Sequence, residues 1–213
     1  MKNRVLNVLT LLELVTATIV IVLDLFVPTL VILLMICLSL ILRKQSLASL
    51  GFIKEKHFWQ MSLKVLLLSV GWTIITLGLT IPILMRLTGQ QQDLSQFVSL
   101  EGNLGQLAIF LAFTWTLAAI GEEIVYRGYI QQKVLTIFGS STLAILFSSI
   151  LFGIAHTEQG LIGVIITFID AIYFSLIKKH FKNNLWAAVL AHGFNNTIGM
   201  VGFFFLGPIY SLW

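Results

Sequence analysis

From residue 104 to residue 120 the chain runs through roughly a full helix of apolar residues without a charge. It then sets Glu122, Glu123 and Arg127 inside six positions, with no Pro before residue 138. Two adjacent carboxylates beside a membrane-length apolar run are costly unless partners or water meet them. A chain built this way must supply both a lipid-facing helix and a polar interior for its charged end. Composition says the rest of the chain is of the same kind. Of 213 residues, 58% are hydrophobic and only 10% are charged, against about 25% charged in a soluble domain. Long uncharged runs point to an all-α polytopic membrane protein. The short alternating segments of a spanning barrel are absent.

The runs predict a bundle of about seven transmembrane helices in one domain. The first is a retained span ending at Leu23, interrupted by Glu13, and a turn over residues 24–28 leads to a short second span over 29–42. Residues 43–60 mix Arg43, Lys44, Lys54 and Lys56 with apolar residues, which reads as a loop with an interfacial amphipathic piece. The third span covers 61–85, kinked or ended by Pro82. The polar connection 86–102 leads to a fourth helix over 103–138. The fifth, sixth and seventh cover 140–156, 160–177 and 184–206, and an eighth short span from Gly199 is the alternative count. Tyr210 and Trp213 suit a membrane interface. With the N-terminus inside, all of the 13 Lys and Arg residues except Arg86 fall on the inner side. That is the cytoplasmic bias expected of a membrane protein, here placed in the cell membrane.

Three polar constellations stand out. Glu123 and Arg127 are four apart on one helix face, in the favourable acid-before-base order. Glu122 is turned about 100° away and left for another partner. Phe152 and His156 share a face, with Gly153 and Ala155 allowing a second helix to pack closely. His192 and Asn196 share a face of the last span, offering donors to an anionic oxygen or a ligand and its supporting partner. Each has a plainer reading taken alone: solvated carboxylates at a helix end, a loop histidine, a hydrogen bond between helices. Asp170 reads as structural, paired with Arg127 or with water. Glu13, Asp24, His57 and His180 read as interfacial or solvated.

In this order the constellations resemble the signature of the CPBP family of intramembrane proteases, which includes the type II CAAX prenyl endopeptidases and the bacterial Abi proteins linked to bacteriocin immunity. The family pattern is met without departure as Glu122-Glu123-x-x-x-Arg127, Phe152-x-x-x-His156 and His192-x-x-x-Asn196. The resemblance covers about 104–200. It makes residues 101–206 a catalytic core and leaves 1–100 as motif-free helices. It implies that Glu122 and His156 activate water for peptide hydrolysis and that His192 and Asn196 stabilise the oxyanion. Glu123, Arg127 and Phe152 would hold the site together. A divalent metal such as zinc, on Glu122, His156 and His192, and a mechanism using the glutamate alone both stay open.

The expected partners are a peptide or protein substrate in or at the membrane and the lipid bilayer, with a cavity facing the cytoplasm. Oligomeric state is unspecified. A non-catalytic immunity or scaffold protein and a small transporter with a proton relay are the rival classes. Nucleic acid is not an expected partner, since the basic residues fall in loops. The single cysteine, Cys37, excludes an intramolecular disulfide and a cysteine-based zinc site. One tension concerns depth. A helix over 103–138 puts Glu122 near mid-membrane, whereas His156 ends a span on the outer side. The two meet if the fifth helix starts below the membrane or the turn at 157–160 is buried.

Overall fold

The computed structural model describes residues 2–208, with side chains from residue 8 onward. Tyr210, Trp213 and the side chains of Lys2 and Arg4 lie outside the described residues. The helices are α1 (Lys2–Val22), α2 (Pro28–Arg43), α3 (Phe58–Thr88), α4 (Leu104–Phe138), α5 (Ser141–Ile154), α6 (Gly160–His180) and α7 (Leu185–Leu206). No strand occurs among the described residues.

The boundaries follow from local chemistry. The side chains of Asn103, Ser140 and Asn184 accept from the backbone N–H groups of Gln106, Leu143 and Trp186, capping α4, α5 and α7. Pro28 opens α2, where a missing N–H costs nothing. Gly89 and Gly139 close α3 and α4 with φ of 66° and 68°, a conformation that glycine adopts without strain. Pro82 does not end its helix. A π turn over Thr76–Thr80 directly precedes it, and α3 continues to Thr88. The wider turn accommodates a residue that cannot donate back and would crowd the carbonyl four residues earlier. α7 runs unbroken through Gly199, so the segment from there belongs to the seventh helix and does not start an eighth. The loop 44–57 carries only a short 3₁₀ turn, Leu47–Leu50, in place of the expected amphipathic helix.

Among the described residues, four helical segments are long and apolar enough to cross a membrane: Phe58–Thr88, Leu104–Phe138, Thr157–His180 and Leu185–Leu206. Val8–Val22, Pro28–Arg43 and Ser141–Ile154 are apolar but shorter. Outward-facing residues such as Leu34, Leu42, Ile74 and Phe205, all at least 66% exposed, are what a lipid-facing surface requires.

The two ends of the bundle are tied differently. At one end Leu185 N–H donates to Gly51 O at 2.8 Å, and the Asn184 amide exchanges hydrogen bonds with the backbone of Ile53. At the other, the connection 89–103 folds over the α5–α6 turn. There Asp93 N–H donates to Gln159 O at 3.0 Å, Gln92 Nε2 to Gln159 Oε1 at 2.8 Å, and Gly102 N–H to Phe204 O at 3.0 Å. Two hydrogen bonds from Ser95 hold the Asp93 carboxyl below the usual carboxylate range, so this rim stays negatively charged.

Glu13, read from sequence as interfacial, is a three-helix link. Its carboxylate accepts from Ser39 and Arg43 of α2 at 2.7 Å each and from Lys133 of α4 at 2.5 Å. Gly153 serves the close helix contact expected of it. A Cβ there would lie 2.8 Å from Val164 O and 3.1 Å from Phe168 Cβ on α6. Gly153→Ala is expected to lower stability by about 1–3 kcal/mol through overpacking. Gly71→Ala, where a Cβ meets nothing within 4 Å, should leave the thermal midpoint unchanged or slightly raised. Thermal unfolding in detergent checks both.

A carboxylate and imidazole cavity

The charged end of α4 is not regular α-helix. Thr114–Glu122 and Ile124–Ile130 are π-helical, a geometry that widens the turn and recurs at functional sites. The carbonyl of Arg127 accepts instead from the Lys178 ammonium of α6. Lys178 therefore belongs to the interior, 7% exposed, and not to the solvated basic group at residues 178–182.

Glu123 and Arg127 pair as their spacing requires. Arg127 Nη1 donates to Glu123 Oε1 at 2.9 Å, and both side chains are fully buried. Arg127 Nε and Nη2 and Glu123 Oε2 have no hydrogen-bond partner. Rings surround the guanidinium in their place, with Phe152, Phe174 and Tyr126 centroids 4.5, 5.4 and 5.9 Å from its Cζ. Their π faces offset part of the cost of burying the cation. Phe152 also lies edge-on to His192, at 5.7 Å.

His192 is the residue that sequence spacing could not place. Its Nδ1 meets Glu123 Oε1 at 3.0 Å, and its ring stacks on Phe174 at 4.8 Å and 14°. An ionised carboxylate only accepts, so against ionised Glu123 it is Nδ1 that carries a proton, and Nε2 is the nitrogen left for the cavity. Nε2 points toward Glu122 Oε2 across 4.0 Å, too far for a direct hydrogen bond. That Glu122 oxygen has no partner of its own. His156 shows the same polarity. Its Nδ1 meets the backbone carbonyl of Phe152 at 2.8 Å, which again leaves Nε2 free.

Glu122, His156, His192 and Asn196 line one cavity of about 430 Å³. α5 ends at Ile154, and by helical rise its 14 residues span about 21 Å. Gln92 and Asp93 bond to Gln159 in the turn that follows, and His156 lines the same cavity as Glu122 and His192. The cavity rim is made by Gln92, Leu94 and Gln96 with Glu158 and Gln159. These residues belong to the connection 89–103 and the α5–α6 turn.

Asp170 does not pair with Arg127. Its carboxylate accepts from Trp72 Nε1 at 2.6 Å and Asn195 Nδ2 at 3.4 Å, and Asn195 Oδ1 accepts from Thr73 Oγ1 at 3.0 Å. All four residues come from three different helices, and Asp170, Asn195 and Thr73 line the cavity. The sequence signal for this group is only a polar residue in each of three spans, which no spacing connects. No three His, Cys, Asp or Glu side chains gather at ligating positions among the described residues, so Glu122, His156 and His192 are not drawn together as a three-ligand set in this structure.

Fold and site together define a helical membrane bundle with a carboxylate–imidazole cavity in its interior. Residues 104–198 match the family model described as Type II CAAX prenyl endopeptidase Rce1-like, the family that the three motifs resemble. The match starts with α4 and ends within α7, so it holds all three motifs. An uncharacterised protein of Mycoplasma capricolum subsp. capricolum (strain California kid) is 34% identical over 96 residues, 45% of this chain and 27% of that protein. The chain thus matches about a quarter of that relative's length. No solved structure matches.

Proposed function

We propose that the chain is an intramembrane endopeptidase that hydrolyses a peptide bond of a membrane-associated protein or peptide with water activated by Glu122. The observation that supports it most is the unpartnered Glu122 Oε2 facing His192 Nε2 across 4.0 Å inside the cavity. A water between them touches a carboxylate that takes its proton and an imidazole that orients it. Its oxygen attacks the carbonyl carbon, the C=O electrons move to oxygen, and the proton held by Glu122 passes to the leaving amine as the C–N bond breaks. The products are a carboxylic acid and an amine.

The tautomers divide the remaining work. Neutral His156 and His192 present acceptors to the cavity, and His192 donates to an oxyanion only as the imidazolium, whose charge Glu123 would balance. The Asn196 amide donates in every protonation state and has no protein hydrogen bond to break first. Asn196→Ala is therefore expected to lower kcat about 10²- to 10³-fold with little change in KM. Kinetics on purified protein with a peptide cut by the wild type check this. An unchanged kcat would remove Asn196 from the oxyanion role.

The basic residues of loop 44–57, with Lys179 and Lys182, support assigning that end of the bundle to the cytoplasm. With seven crossings and the N-terminus inside the cell membrane, the rim at Gln92 and Glu158 faces the opposite side. Peptide maturation or bacteriocin immunity would use this chemistry. The test is incubation of purified protein with a peptide library and mass-spectrometric detection of new termini. No cleavage by the wild type under any lipid or detergent condition would contradict the proposal.

A further inference from the structure

Asp170, Asn195 and Thr73 line the same cavity as the hydrolytic groups, and the reaction leaves them without a task. Asp170 is held rigidly. Trp72, which donates to it, lies flat on Tyr173 with ring centroids 4.5 Å apart and planes 3° from parallel, and Asn195 is fixed by Thr73. Both partners of Asp170 are donors, as an ionised, acceptor-only carboxylate requires. Of its roughly four lone-pair positions, one is filled at 2.6 Å and one only loosely at 3.4 Å.

The lining around it has one sign of charge. Glu122, Glu158 and Asp170 face this cavity, and no Lys or Arg does. Arg127 lies behind the wall, and its charge is met by Glu123. A second observation comes from α3. Thr76 lines the same cavity, is only 8% exposed, and its hydroxyl has no hydrogen-bond partner. A buried hydroxyl left unpaired costs about 1–3 kcal/mol. An acceptor left open in the same cavity as the Asp170 carboxylate suits a ligand that brings several donors and a positive charge.

We infer that Asp170 and Asn195, with Thr76 lining the same cavity, form a subsite for an alkylammonium or guanidinium group of a bound peptide. Lys and Arg bring three and five donors respectively and no acceptor. Their apolar stems fit the rest of the lining, which includes Leu77, Ile166 and Phe174. The subsite selects cationic peptides and orients them across Glu122. This rests on the cavity receiving a peptide, as proposed above.

The test measures binding on a Glu122→Gln background, where turnover does not interfere. Apolar peptides carrying a single Lys, or norleucine in its place, are titrated, each with a free and an acetylated N-terminus. The Lys peptide should bind about 10-fold more tightly than its norleucine twin, equivalent to about 1.4 kcal/mol. Adding Asp170→Asn should erase that difference and leave the norleucine affinity where it was. If the twins with free N-termini bind alike and acetylation weakens both only while Asp170 is present, the ammonium is the peptide's N-terminus, and the subsite stands. Equal affinity of the twins with no effect of acetylation, or a Lys preference that survives Asp170→Asn, overturns it. A variant that loses thermal stability yet keeps the preference would mean that Asp170 only ties α3, α6 and α7 together.

The two readings fail separately. Cleavage by the wild type without charge preference removes the subsite and keeps the peptidase. Asp170-dependent Lys preference without any cleavage does the reverse. Binding of neither peptide overturns both.

Discussion

Glu122→Gln is expected to reduce peptide hydrolysis about 10²- to 10⁴-fold, the range for losing a general base, or about 2.7–5.5 kcal/mol in the barrier. Membrane abundance and the thermal midpoint should stay at wild-type values. The reason is local. Oε2 of Glu122 makes no protein hydrogen bond, so the near-isosteric amide removes proton affinity without breaking a structural contact. The same rate loss with a large fall in stability would mean that Glu122 supports the helix and does not act on water. Parallel measurement of kcat and thermal unfolding separates the two.

Glu123→Ala should have the opposite profile, with the protein itself lost. The substitution strands Arg127, fully buried beside it, and removes the acceptor that fixes His192 Nδ1 at 3.0 Å. Removing one partner of a buried ion pair costs about 3–5 kcal/mol, a large share of the 5–15 kcal/mol typical of a whole domain. Folded protein in the membrane fraction should fall sharply. Replacing Glu123 and Arg127 together by Met should be less harmful than Glu123→Ala alone, since no charge is then left unpaired. If Glu123→Ala accumulates normally and unfolds at the wild-type temperature, the pair contributes nothing to stability.

Local features of this molecule are legible in its sequence because their causes are local. Asn103, Ser140 and Asn184 cap the helices that they precede, and Glu123 meets Arg127 because four residues make one turn. Gly153 marks a close helix crossing, as small residues do. What spacing cannot reveal depends on contacts across the bundle or on the pitch of α4. The hydrogen bond from His192 to Glu123 joins residues 69 apart and settles which imidazole nitrogen faces the cavity. The π turns arise where α4 packs against α2, α5 and α7, and no residue type in 114–130 demands them. Asp170 looked structural because its partners, Trp72 and Asn195, lie on other helices. The rim escaped notice because residues 92–100 read as an ordinary polar connection. In the fold Gln92 and Asp93 bond to Gln159, and Leu94, Gln96, Phe97 and Leu100 line the cavity with Glu122 and His156.

The most direct test of Glu122 as the water-activating group is cleavage of a peptide library by purified protein in ¹⁸O-labelled water. The wild type should place one labelled oxygen in the new carboxyl terminus of each product, and Glu122→Gln should yield almost no labelled product over the same time. Labelled product from Glu122→Gln at the wild-type rate would contradict the assignment.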